Sequence, residues 1–355
     1  MKIFLLSGEP SADLYGSLVV KALKELEPKV EIRAVGGREL ESAGAKRVRD
    51  NQDLSVIGFY EGIRSGPRLF WLKEKLKKEI ISFAPDIFLP ISFGGFALPL
   101  CRELKKEGIK IIYLSPPQIW AWGKRRIFFL KRYVDKIICL FPFEIEFYRR
   151  YSLTAFYFGN PLTELTQTFL GKSKRENSDL RIISLAPGSR KEEMKRHLPF
   201  LKEVFYQVNR NREFIGFFIF PPYLLPEKKG EEEIIFTQER RYEIIARSEL
   251  VIGKLGTIAL EAVLLGKPYV GIYIPSLPSY ILGRFLVQTK LFSLPNIILK
   301  EKVFPEFIRP NSKEVEEAIK IVLKNKEFYE SYCLKVREIL TEEKPAKRIA
   351  AAILD

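Results

Sequence analysis

Four short stretches of this 355-residue chain carry residue types able to do chemistry. In LVIGKLGTIALEAVLLGKP, Leu250–Pro268, an apolar run (Leu250–Gly253) predicts a buried strand, Lys254–Thr257 a turn and Ile258–Leu265 a helix capped by Thr257. A helix start leaves backbone N–H groups without partners and carries partial positive charge, which suits a phosphate. Glu261, one turn further in, can accept hydrogen bonds from two neighbouring sugar hydroxyls, so the stretch predicts a nucleotide-sugar pocket. Ala186-Pro187-Gly188-Ser189-Arg190 repeats the strand–turn–helix pattern, and Arg190 can hold a diphosphate by charge-assisted hydrogen bonds. Ser7-Gly8-Glu9-Pro10-Ser11-Ala12-Asp13 sets two carboxylates, Glu9 and Asp13, at the edge of the first strand, with Ser11 expected to cap the following helix. Ser293-Leu294-Pro295-Asn296 is followed by Pro305-Glu306, and the Asn296 amide can read a nucleobase edge.

Alternating strands and helices must position those turns. Lys2–Ser7 is an apolar strand, and Ser11–Glu27 is an amphipathic helix with Leu14, Leu18, Ala22 and Leu26 on one face. Val30–Val35, Asp86–Ile91, Lys110–Leu114 and Lys136–Leu140 follow at parallel-strand spacing. Gly159–Asp179 turns polar, and a second rhythm begins: strand Arg181–Leu185, helix Glu192–Asn209, and strands Glu213–Phe220, Ile234–Phe236, Leu250–Ile252 and Tyr269–Tyr273. This predicts two Rossmann-like α/β domains with parallel sheets, residues 1–165 and 166–344, facing a central cleft. The final helix, 345–355, is expected to pack back on the first domain or on a partner chain.

Lys and Arg number 59 against 44 Asp and Glu, a net charge of +15 that points to an anionic partner. No nucleic-acid-binding signature accompanies it, so no nucleic acid is expected. In Arg64–Glu79 the core stripe is Leu69, Leu72, Leu76 and Ile80, while Trp71, Lys75 and Lys78 fall on another face. Lys124, Arg125, Arg126, Lys131 and Arg132 lie close to Trp120 and Trp122. Tryptophan beside lysine suits an anionic membrane surface. The longest apolar stretch, Phe214–Leu225, is broken by Pro221 and Pro222 and is too short to span a bilayer. Three scattered cysteines (Cys101, Cys139, Cys333) predict buried thiols in a reducing compartment, and the one histidine, His197, leaves no metal-ligand cluster. A soluble cytoplasmic protein without metal or cofactor is expected, bound to a membrane surface.

Taken in order, the motifs resemble the lipid-A-disaccharide synthase family. The resemblance runs through Ser7-Gly8-Glu9, Ala34-Val35-Gly36-Gly37 and Leu54-Ser55-Val56-Ile57-Gly58-Phe59-Tyr60-Glu61. It continues through Ser115-Pro116-Pro117-Gln118-Ile119-Trp120-Ala121-Trp122, Phe141-Pro142-Phe143-Glu144 and Phe158-Gly159-Asn160-Pro161-Leu162. It ends with Pro187-Gly188-Ser189-Arg190, Gly256-Thr257-Ile258-Ala259-Leu260-Glu261, Ser293-Leu294-Pro295-Asn296 and Pro305-Glu306-Phe307. The resemblance implies the GT-B fold and an inverting, metal-independent hexosyltransferase. Such an enzyme joins UDP-2,3-diacylglucosamine to 2,3-diacylglucosamine 1-phosphate, giving the β-1,6-linked lipid A disaccharide 1-phosphate and UDP. It further implies that Arg190, Gly256, Thr257, Glu261, Asn296 and Glu306 line the UDP side, with Glu9 and Asp13 near the reacting centre. Lys254 is expected to supplement Arg190 at the diphosphate. A homodimer through C-terminal elements is within the family's range.

The main departure follows the strand Asp86–Ile91. The family has Ile-Asp-x-Pro-Asp-Phe there, and its second aspartate is a candidate catalytic base. This chain reads Ile91-Ser92-Phe93-Gly94-Gly95-Phe96, with neither carboxylate. A positioned base typically contributes ~10²–10⁴-fold. The expected replacements are Asp13 or Glu9, with Glu61 as a third candidate. Two alternatives stand beside this reading: a catalytically impaired UDP-sugar and lipid-binding paralogue, and a GT-B glycosyltransferase with another acceptor lipid.

Overall fold

The computed structural model describes residues 1–51, 66–120, 126–170, 181–221, 233–238, 240–286 and 289–355. Long apolar runs with both faces covered become parallel strands, because only crossover helices can connect them. The first sheet contains β1 (Lys2–Ser7), β2 (Glu31–Gly36), β3 (Lys46–Asp50), β4 (Ile87–Ile91), β5 (Lys110–Leu114), β6 (Lys136–Cys139) and β7 (Ala155–Tyr157), in the order β3-β2-β1-β4-β5-β6-β7. The second contains β8 (Arg181–Ala186), β9 (Phe214–Ile219), β10 (Ile234–Thr237), β11 (Leu250–Lys254), β12 (Tyr269–Tyr273) and β13 (Glu306–Ile308), in the order β10-β9-β8-β11-β12-β13. Every pairing is parallel, with Ile3 opposite both Ile32 and Ile87, and Val251 opposite both Ser184 and Tyr269.

Helices α1 (Pro10–Leu26), α2 (Arg38–Ser42), α3 (Gly66–Phe83), α4 (Gly94–Lys106), α5 (Arg126–Tyr133) and α6 (Pro142–Arg149) connect the first sheet. Leu76 and Ile80 of α3, Leu100 and Leu104 of α4, Ile127 and Leu130 of α5 and Tyr148 of α6 share one core with the strands. Helices α7 (Leu162–Leu170), α8 (Lys191–Val208), α9 (Arg241–Arg247), α10 (Thr257–Leu264), α11 (Leu277–Leu286), α12 (Leu294–Leu299), α13 (Ser312–Lys324), α14 (Lys326–Leu340) and α15 (Pro345–Leu354) complete the described helices.

Contacts gather the chain into two compact units. One is Met1–Pro161 with Pro278–Gln288 and Thr341–Asp355; the other is Leu162–Leu277 with Thr289–Leu340. Within the first unit α15 buries Ile349, Ala350 and Ile353 and packs on α1. Cys101, Cys139 and Cys333 are free thiols in the core.

Two helix starts differ from expectation. Ser11 does not cap α1, because Pro10 takes its first position and Glu9 becomes the N-cap. Proline lacks the N–H that would go unpaired there and has a suitable fixed φ. Thr257 likewise does not cap α10: Gly256 is the N-cap and Thr257 is already helical. Strands β3, β7 and β13 had no clear sequence signal, since each is a short edge strand with partial burial.

Candidate active site

In the second unit β8 and β11 are neighbours at the point where strand order reverses, with β9 following β8 on one side and β11 lying on the other. Ligands of open α/β sheets bind outside the carboxyl ends of strands at such a switch point. Two predicted turns stand there, Pro187–Arg190 after β8 and Lys254–Thr257 at the end of β11. They approach closely because Gly253 lacks a side chain: a Cβ would stand 2.8 Å from that of Ala186 and 2.9 Å from its carbonyl oxygen. The Tyr269 hydroxyl points to the carbonyls of Gly253 (2.7 Å) and Lys254 (2.6 Å), anchoring the end of β11. Arg190 is the half-buried N-cap of α8. The first N–H groups of α10, with Thr257 at its start, add partial positive charge.

Glu261 sits one turn into α10, only 4% exposed. Its Oε2 has no hydrogen-bond donor, and the Arg241 guanidinium stands 3.5 Å away. A buried carboxylate oxygen without a donor is costly, so a ligand hydroxyl supplying one is favoured there. Arg241 also donates to the Tyr242 hydroxyl at 2.6 Å, and Tyr242 stacks on Phe169.

Lys254 has a different partner from the one expected. Its ammonium pairs with Glu193 Oε1 at 2.7 Å. Burial works against the Glu193 charge, but Lys254, with Arg190 nearby, outweighs it and holds the carboxyl below its usual range. Glu193 went unnoticed in the sequence, although an acid in the first turn after Arg190 was the available signal.

Asn296 and Glu306 come together and bond to each other. The Asn296 amide donates to the Phe304 carbonyl (2.8 Å) and Glu306 Oε2 (3.0 Å), and accepts from the N–H groups of Val303 (3.0 Å) and Phe304 (2.9 Å). All four of its hydrogen-bonding positions are used. Glu306 also accepts from the N–H groups of Phe292 (3.1 Å) and Ser293 (2.8 Å). The expectation that Asn296 reads a base edge gives way to a structural role: the pair fixes the 291–293 and 303–306 segments.

In the first unit the switch point lies between β1 and β4. Glu9 follows β1 as the half-buried N-cap of α1, and Ser7 donates to its carbonyl at 3.2 Å. Ser92–Gly95 follows β4, where Ser92 (φ 55) and Phe93 (φ 54) are both left-handed. Tyr113 donates to the Ser92 carbonyl at 2.6 Å. The Phe93 ring lies against Gly8, whose Cβ would meet it at 2.3 Å. Gly95, by contrast, opens on space: an added Cβ would find nothing within 4 Å.

Asp13 lies deeper, 3% exposed. Its oxygens accept from the N–H groups of Gly37 (2.6 Å) and Glu39 (3.2 Å), clasping the end of β2 to the start of α2. Burial raises its carboxyl to about 6 despite those bonds. Glu144 accepts from the Phe141 N–H at 3.1 Å, and burial raises it to about 7. Glu61, Trp122, Lys124 and Arg125 lie outside the described residues.

Trp71, Lys75 and Lys78 form the expected exposed face of α3, with Phe70 beside them. Phe128, 71% exposed on α5, accompanies the exposed Lys131 and Arg132. Among the described residues no helix is long and apolar enough to cross a membrane, and no group of three or more His, Cys, Asp or Glu could hold a metal ion.

The family profile described as lipid-A-disaccharide synthetase matches residues 3–352. The lipid-A-disaccharide synthase of Solibacter usitatus is 32% identical, over 87% of this chain and 83% of that protein. That of Persephonella marina is 32% identical over 99% of this chain and 98% of its own. Similar solved structures include the UDP-GlcNAc 2-epimerase of Methanocaldococcus jannaschii in complex with UDP-GlcNAc and UDP (TM-score 0.65, 14% identity, 100% of this chain and 99% of that one). Spinosyn rhamnosyltransferase is another (TM-score 0.64, 12% identity, all of both chains). These likenesses place the two parallel-sheet domains in the GT-B fold class. With its strand-end turns, buried Glu261 and near full-length match, the chain belongs to the lipid-A-disaccharide synthase family of glycosyltransferases.

Proposed function

We propose that the protein transfers 2,3-diacylglucosamine from UDP-2,3-diacylglucosamine to 2,3-diacylglucosamine 1-phosphate. The observation that carries the donor half is the pair of adjacent strand-end turns at the β8/β11 switch point, beside a buried Glu261 oxygen that lacks a donor. Glu261 accepts from the ribose hydroxyls. Arg190 and the start of α10 at Gly256-Thr257 face the diphosphate, where charge grows as the anomeric C–O bond to UDP breaks. Lys254 supports them through Glu193, while Asn296 and Glu306 hold the neighbouring loops.

In the first unit Glu9 is the base. It takes the proton of the acceptor 6-hydroxyl as that oxygen bonds to the anomeric carbon. Asp13, with both oxygens occupied, holds the Gly36-Gly37 turn in place. Disaccharide and UDP formed in equal amounts from the two diacyl substrates test this reading, with Glu9→Gln expected to lower kcat ~10²–10⁴-fold. The Ser92/Gly95 replacement favours one alternative, a binding protein that has lost turnover. UDP binding with no disaccharide above the blank would select it.

Exposed Trp71, Phe70 and Phe128 among lysines and arginines support docking on an anionic bilayer, at the inner face of the inner membrane. Co-sedimentation with vesicles containing anionic lipid, compared with neutral ones, reads it out. Trp71→Glu with Phe128→Glu should abolish binding. A homodimer through C-terminal elements belongs to the same reading and is tested by sedimentation equilibrium.

A further inference from the structure

His197, the one histidine of the chain, is completely buried on α8. Its Nδ1 lies 2.8 Å from the carbonyl oxygen of Pro187, and its Nε2 lies 2.9 Å from the backbone nitrogen of Ile274. A carbonyl can only accept and a backbone N–H can only donate, so the tautomer is determined: Nδ1 carries the proton and Nε2 accepts. The next residue back, Arg196, donates its Nε–H to the Ile274 carbonyl at 2.9 Å. Both backbone polar groups of Ile274, just past β12, therefore end on consecutive residues of α8.

The same helix closes the other side of the turn. Gly188 has φ +118, and a Cβ there would stand 3.0 Å from Glu193 Oε2 and 3.4 Å from the Lys254 side chain. Lys254 lies 5.9 Å over the Tyr273 ring, which is 6.0 Å from the imidazole. The Pro187–Arg190 turn is thus held from below by a buried imidazole and from the side by an ion pair.

We infer that His197 is a positioning residue for the donor site, clipping the Pro187–Arg190 turn to the end of β12 so that Arg190 and the turn meet the diphosphate already in place. This rests on the reading of the second unit as the UDP-sugar site. Burial holds the imidazole below its ordinary titration range, which keeps the neutral form and its acceptor nitrogen. A positively charged imidazole would turn Nε2 into a donor facing the Ile274 N–H, and the clip would open.

The side-chain geometry offers two half-clips. An asparagine amide stands near the Nδ1 position and can donate to Pro187; a glutamine carbonyl reaches the Nε2 position and can accept from Ile274. The experiment is calorimetric titration of the full chain with UDP, well below each variant's melting temperature, together with steady-state kinetics. His197→Phe, which keeps the ring and removes both bonds, should raise the Kd for UDP about tenfold. His197→Asn and His197→Gln should fall between it and wild type. The donor KM should rise in parallel while the acceptor KM stays unchanged, a split that general loosening of the fold would not produce. Folded variants that bind UDP within twofold of wild type overturn the inference. Should His197→Phe not fold, the two half-clip variants decide it by the same criterion. Wild-type protein that fails to bind UDP overturns the donor-site reading, and this inference with it.

Discussion

Replacing Glu261 by glutamine separates a ligand-binding carboxylate from a structural one. The substitution keeps shape and one carbonyl oxygen but removes the charge. If Glu261 accepts from the ribose, the loss is that of a hydrogen bond to a charged group, about 1.5–3 kcal/mol. At about 1.4 kcal/mol per tenfold, UDP should bind roughly 10–150 times more weakly. The unliganded protein should hardly notice. Oε2 has no hydrogen-bond donor to strand, a glutamine carbonyl can still accept from the neighbouring Tyr242 hydroxyl, and the ion pair it loses is a 3.5 Å contact to an Arg241 side chain that is 32% exposed. The charge left behind is that of the partly exposed Arg241, which water can solvate, so the cost should stay near about 1 kcal/mol and the melting temperature should move by less than about 4 °C. Calorimetric titration with UDP and with its 2′-deoxy analogue, beside thermal melts of the free protein, measures both sides. Wild type should prefer UDP over the deoxy compound, and Glu261→Gln should lose most of that preference. An equal preference in wild type and variant, or a large fall in melting temperature with unchanged UDP affinity, would refute the ribose assignment.

Asn296→Ala should behave in the opposite way: it strands the N–H and the carbonyl of Phe304 in a fully buried place and removes a donor from Glu306. A stability loss of about 3–5 kcal/mol by chemical denaturation is expected, far beyond that of Glu261→Gln. Gly95→Asp has room for its side chain and adds an acid to the first turn of α4, so stability should hold or rise. In a Glu9→Gln background it should restore at least about tenfold of the lost disaccharide synthesis, measured as product per enzyme. Stability should also depend on pH through two buried carboxyls. Asp13 is raised from 3.8 to about 6 and Glu144 from 4.5 to about 7. The folded state therefore binds these protons more tightly than the unfolded chain, and each contribution makes the fold more stable as pH falls through its folded value towards its unfolded one. For Glu144 this amounts to up to ~3 kcal/mol between about pH 7 and 4.5. Melting curves across that window should show a shallower rise on acidification for Glu144→Gln than for wild type.

The strands and turns that build the candidate site were legible because their signals are local. Apolar runs such as Ile3–Leu6 must be covered on both faces, and small residues before a helix mark a strand-end turn. The edge strands β3 and β13 were not legible, because an edge strand such as Lys46–Asp50 is half solvated and keeps its charges. That Pro187–Arg190 and Lys254–Thr257 are turns at strand ends was also readable.

The sequence by itself thus determined two parallel-sheet domains, the strand-end turns and the chemical types they present. Only the tertiary structure decided which of those groups are free to meet a ligand. Lys254 finds Glu193 across 61 residues of chain, and Asp13 finds Gly37 across 24. Asn296 uses all four of its hydrogen-bonding positions on Phe304, Val303 and Glu306, whereas Glu261 keeps an oxygen without a donor. The physical reason is that a side chain's hydrogen-bonding capacity is spent on whatever the packed fold sets opposite it, and residue type and spacing do not contain that information.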